Sequence, residues 1–175
     1  MTDLERSWKF YEEVLQFRFW WRLEAPEEGT SRRLQIPPPV GLKAVYLLRD
    51  GLVLELLYYS EAKAKPFRTR VMNKPGLTHI SLSVGDIPVL LEKVVPYGGE
   101  IIEESDLKMA ILIRDPDGQL IELTSTDWLD ALPLLPARTA MTIPGGLPPR
   151  AEGARVSFAA WATHDWPPRA EEGTA

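Results

Sequence analysis

Apolar and polar positions follow two rhythms along this chain. Residues 78–84 read Thr-His-Ile-Ser-Leu-Ser-Val. Thr78, Ile80, Leu82 and Val84 fall on one face and His79, Ser81 and Ser83 on the other, the period of a strand with one apolar face. From Leu120 to Thr124, Ile121 and Leu123 share one face, and Leu120, Glu122 and Thr124 share the other. Just before that strand, Asp115-Pro116-Asp117-Gly118 joins a fixed φ to a residue that tolerates positive φ, which predicts a reversal. A His and a Glu on two strands therefore project from the faces opposite the apolar packing. If the strands share one curved sheet, an imidazole and a carboxylate meet in its hollow.

The second rhythm is helical. Leu4, Trp8, Tyr11 and Leu15 lie on one face of a helix read over Asp3–Trp21, with Asp3 as N-cap. Its end, Phe17–Trp21, is aromatic and more strand-like, and reads as core packing or as the wall of a ligand site. Ile87, Leu90, Leu91 and Val94 form the stripe of another helix, opened by Asp86-Ile87-Pro88 and closed by Tyr97-Gly98-Gly99. Leu42–Leu48 and Leu52–Tyr59 read as strands around Arg49-Asp50-Gly51. Glu100–Glu103 and Leu107–Arg114 are further strands. Glu24–Pro39 reads as an exposed polar loop and Glu61–Pro75 as a charged connection.

These elements repeat. Leu47-Leu48-Arg49-Asp50-Gly51 and the strand after it lie over Leu112-Ile113-Arg114-Asp115 and the strand after Gly118, and in each copy a Glu follows the Gly by four residues: Glu55 and Glu122. Thr2-Asp3-Leu4 lies over Gly85-Asp86-Ile87. A tandem repeat takes precedence over any single-element reading. It predicts an α+β fold of two βαβββ modules over 1–75 and 76–128, followed by a Pro/Gly-rich tail over 129–175. The strand bearing His79 precedes Asp86 by seven residues; its counterpart would precede Met1. The first strand of module one is therefore expected to be missing from the chain, with an upstream start as the favoured explanation. The strand-like segment 155–164, carrying His164, is another candidate for that place.

Composition narrows the function. A net charge of −5, without a basic cluster, argues against nucleic acid. The absence of cysteine removes disulfides and thiolate chemistry and fits a reducing, cytoplasmic setting. No apolar run approaches a membrane span.

The segments Gly76-Leu-Thr-His-Ile-Ser-Leu-Ser-Val-Gly-Asp-Ile87, Arg114-Asp-Pro-Asp-Gly-Gln-Leu-Ile-Glu-Leu123 and Asp3-Leu-Glu-Arg-Ser, with Phe10-Tyr11-Glu12 after it, resemble the vicinal oxygen chelate superfamily. That group includes glyoxalase I, methylmalonyl-CoA epimerase, extradiol dioxygenases, and bleomycin- and fosfomycin-resistance proteins. The resemblance covers about residues 2–124 and implies paired sheets forming a cup around a divalent metal. Residue by residue, it implies His79, Glu122 and Glu55 as metal ligands; the fourth ligand has no counterpart because its strand is missing. It also implies a homodimer.

One His and two carboxylates suit Zn, Ni, Mn, Co or Fe, with water in the open positions. Such a centre stabilises charge on a carbonyl or enediolate oxygen while a carboxylate moves the proton, and Glu122 is the expected base. A small thioester or hydroxy-acyl substrate fits a glyoxalase- or epimerase-type enzyme. The alternatives are a non-catalytic small-molecule binder like the bleomycin-resistance proteins, and an extradiol-type dioxygenase. A lone strand His is ordinarily structural; its repeat-related carboxylates are what single it out. Glu55, among apolar neighbours, is expected to need a metal or a cation as partner. Arg49, Arg114, Glu103, Glu104 and Asp106 read as solvated turn residues.

Overall fold

The computed structural model describes residues 1–64, 72–73 and 75–131, all within one compact unit. The Pro/Gly-rich tail beyond Ala131, with segment 155–164 and His164, lies outside the described residues. Helix α1 (Leu4–Glu13) begins where the Asp3 carboxylate accepts from the Arg6 amide. It ends well before Trp21. Gln16 takes a left-handed φ of 59°, the Phe17 amide donates back to the Tyr11 carbonyl, and the chain enters strand β1 (Arg18–Glu24). The aromatic run is thus strand, where β-propensity overrides the helical pattern.

Between β1 and the hairpin lies a helix that the polar composition concealed. Helix α2 (Glu27–Leu34) carries two acids in its first turn and two arginines in its last, and Gln35 closes it in the left-handed region. Strands β2 (Leu42–Arg49) and β3 (Leu52–Tyr59) follow. In the second module, β4 (Ile80–Val84) leads to α3 (Ile87–Val94), capped by Asp86, then to β5 (Glu100–Ile102), β6 (Ala110–Arg114) and β7 (Leu120–Ser125). A last helix, α4 (Thr126–Ala131), ends the described chain.

The first sheet is antiparallel in the order β1-β2-β3; the second runs β4-β7-β6-β5, with β4 parallel to β7. The three strands of the first correspond to β5, β6 and β7. Among the described residues no counterpart of β4 lies beside β3, as the repeat implies.

One apolar core joins the modules. Phe10, Val14 and Leu15 pack in the same cluster as Val45, Leu47 and Leu56 of the first sheet and Ile113, Ile121 and Leu123 of the second. The approach is close at Gly99, where an added Cβ would stand 2.6 Å from both the Arg114 carbonyl and the Phe10 ring. Helices α1 and α3 therefore line one side of the sheets, and the polar strand positions face the other.

Two expected turn residues are structural instead. The Arg49 side chain is only 10 % exposed; its guanidinium donates to the Leu15 carbonyl at 2.9 Å and to the Ser83 carbonyl. Arg114 pairs with Glu100 at 3.5 Å and donates to the Gly118 carbonyl. Arg49 is held by carbonyls 34 residues away on either side, Arg114 by its own turn and by Glu100 on the neighbouring strand.

Candidate functional site

Parallel pairing of β4 with β7 sets Ser81 opposite Glu122. His79 sits one residue before β4 and projects, with Ser81, to the side away from the helices. There its Nε2 lies 3.6 Å from Glu122 Oε2. The Ser81 hydroxyl donates to the same carboxylate oxygen at 2.5 Å, and Thr78 Oγ1 lies 2.9 Å from His79 Nδ1. Both side chains remain partly accessible, 25 % for His79 and 34 % for Glu122. The fold thus brings together an imidazole, a carboxylate and two hydroxyls in reach of solvent.

Glu55 occupies the matching register position in the first sheet. Glu122 lies across from Leu112, and Glu55 across from Tyr46. That one difference decides its surroundings: the Tyr46 hydroxyl donates to Glu55 Oε1. Glu55 is exposed rather than buried, so it carries no large desolvation cost, and the Tyr46 phenol is its hydrogen-bond partner. Burial, then the bond to Glu55, pushes the Tyr46 phenol above its usual range, while Arg33 of α2 draws it the other way.

Among the described residues, no three His, Cys, Asp or Glu side chains are arranged to hold a metal ion. His79 and Glu122 fit two positions of the expected three-ligand set; Glu55 does not join them. As arranged, the described residues do not fit that site.

Two tryptophans flank Tyr46. A bulge between Phe19 and Trp21 leaves Trp20 as the extra residue of β1. Phe19 stays on the helical side, stacked on Trp8 at 4.9 Å. Trp21 turns to the other side and stacks on Tyr46, centroids 4.5 Å apart and planes 7° apart. Trp20 meets Tyr46 edge-on at 6.4 Å. The sequence marked this aromatic run but not Tyr46. The repeat sets Leu47 over Leu112, so only the strand register, which puts Tyr46 across from Glu55 as Leu112 is from Glu122, singles Tyr46 out. A cavity of about 300 Å³ lies elsewhere, on the helical side, between Val14, Val84, Leu90 and Lys93.

A family model described as the Glyoxalase/Bleomycin resistance protein/Dioxygenase superfamily matches residues 1–123. The chain belongs to this superfamily. Within it, the chain is 26 % identical over 138 residues to a curated Arabidopsis thaliana protein, Glyoxylase I 4, covering 76 % of this chain and 70 % of that one. Solved structures share the superfamily fold. A glyoxalase family protein from Bacillus cereus matches with a TM-score of 0.62 at 18 % identity, over 71 % of this chain and 87 % of its own. The trypanothione-dependent glyoxalase I of Leishmania major matches at 0.55 and 24 %, over 74 % and 84 %. The fosfomycin resistance protein FosX of Listeria monocytogenes matches at 0.52 and 16 %, over 77 % and 91 %. No described helix is long and apolar enough to cross a membrane.

Proposed function

We propose that this superfamily member is an enzyme of glyoxalase or epimerase type that moves a proton next to a substrate carbonyl. The observation that carries this reading is the 3.6 Å approach of His79 Nε2 to Glu122 Oε2 on the open side of the second sheet. Ser81 engages Oε2, which leaves Oε1 of Glu122 to face a substrate. A carboxylate fixed in this way serves as a general base: the substrate C–H proton passes to Oε1, and its electron pair moves onto the carbonyl oxygen. When Thr78 donates to Nδ1, the ring proton sits on Nε2, and a small turn of the imidazole presents it to that developing oxyanion. Return of the proton from Glu122 completes an isomerisation.

The substrate class is a small thioester or hydroxy-acyl compound. His79 and Glu122 also offer a divalent ion one nitrogen and one oxygen. The third expected ligand, Glu55, is held by the Tyr46 hydroxyl. A cytoplasmic homodimer belongs to the same reading, supported by the cysteine-free composition and the family resemblance.

A second reading, a small-molecule binder without chemistry, is favoured by Tyr46 engaging Glu55 beside the stacked Trp21. Incubation with hydroxy-acyl thioesters in deuterated buffer, followed by NMR, separates the two. The enzyme exchanges the α-proton, and Glu122→Gln slows that exchange by about 10²- to 10⁴-fold. Absence of exchange across such substrates moves the protein to the binder class. Metal content of the same preparation, with His79→Ala beside it, tests the two-donor contribution.

A further inference from the structure

The first sheet carries a polar and aromatic cluster that the proton transfer does not use. Trp21 and Tyr46 stand stacked on the side away from the helices, Trp20 abuts them edge-on, and all three are half-buried. The Tyr46 hydroxyl donates to Glu55 Oε1 and so fixes the carboxylate against the rings. Glu55 Oε2 has no partner among the described residues, and a carboxylate oxygen accepts only. The cluster therefore presents aromatic surface beside one outstanding acceptor. A negative charge on the ligand would meet the Glu55 carboxylate.

We infer that Trp21, Tyr46 and Glu55 form a recognition subsite for a flat heteroaromatic group bearing an N–H donor. The ring packs against the aromatic pair, and its N–H donates to Glu55 Oε2. Both contacts are needed: stacking supplies most of the affinity, and the carboxylate selects rings with a donor. The subsite rests on reading the open side of the sheets as a small-molecule site, and it deepens that reading by naming a feature of the ligand.

Benzimidazole is a suitable probe, because it is neutral above pH 7 and carries one ring N–H. 1-Methylbenzimidazole keeps the ring and lacks the donor. Titration of the full chain at pH 8, followed by tryptophan fluorescence and ligand-observed NMR, is expected to show saturable binding of benzimidazole. 1-Methylbenzimidazole should bind roughly three- to tenfold more weakly, the range of one net hydrogen bond. Glu55→Gln should shrink that preference, and Trp21→Leu should remove binding of both probes. Tyr46→Phe keeps the stack and frees the carboxylate, so it should retain ring binding with a reduced N–H preference, provided circular dichroism shows the native fold. Equal affinity for the two probes in the wild type, binding unaffected by Trp21→Leu, or no saturable binding would each overturn the subsite. Proton exchange lost in Glu122→Gln with probe binding intact separates this subsite from the catalytic pair, so either can fail alone.

Discussion

The Tyr11 hydroxyl donates to Asp115 Oδ2 at 3.0 Å, across 104 positions of the chain. It ties the helix of the first module to the β6–β7 turn of the second. Asp115 is only 3 % exposed and also accepts from the Asp117 and Gln119 amides, so it organises the turn from within. Burial pushes its carboxyl above the ordinary range despite those donors. Tyr11→Phe removes one donor from a buried acceptor and should cost about 1–3 kcal/mol, read as a lower urea midpoint.

Arg49 joins the modules at a second point. Arg49→Met keeps the aliphatic stem but leaves the Leu15 and Ser83 carbonyls without their charged donor. The expected loss is about 2–3 kcal/mol. Arg49→Lys should recover less than half of it, since one ammonium cannot reproduce the guanidinium fork. Denaturation of the three proteins side by side measures both effects.

Asp117 gives the fold an acid-sensitive element. Burial pushes its carboxyl up, but the hydroxyls of Thr2 and Ser7 and the Thr2 amide together outweigh that and hold it below the usual value. A depressed folded-state pKa means that the unfolded chain takes up the proton first. The stabilisation is therefore present above the ordinary Asp value of about 3.9 and is lost as pH falls through the lower folded value. Asp117→Asn should be less stable than wild type at pH 7, and the gap should close in this acid window. Urea midpoints from pH 7 down to pH 2 would show it; a constant gap would contradict it.

Ser81 positions the proposed base. Ser81→Ala leaves an exposed strand position free of packing cost but releases Glu122 Oε2. The exchange rate should fall by roughly three- to tenfold, the worth of one hydrogen bond, with the wild-type unfolding midpoint retained. A loss as large as that of Glu122→Gln would instead make the hydroxyl itself a participant.

Periodicity and turn chemistry by themselves determine much of this protein. The doubled Gly-to-Glu spacing predicted two related modules, and alternation put His79, Ser81 and Glu122 on polar faces. These features are local: a period of two assigns a face, and a Pro-Gly turn assigns a reversal. Which residue stands across a face depends on sheet order and register, which belong to the whole chain. Register gave Glu55 to Tyr46 where its repeat partner faces Leu112, and the parallel β4–β7 pairing placed Glu122 beside Ser81 and within 3.6 Å of His79. Tertiary contact likewise buried Arg49 against two distant carbonyls and turned a polar stretch into α2. Sequence set the faces; packing chose the partners, because hydrogen bonds between strands and across the core are made by residues that no local period relates.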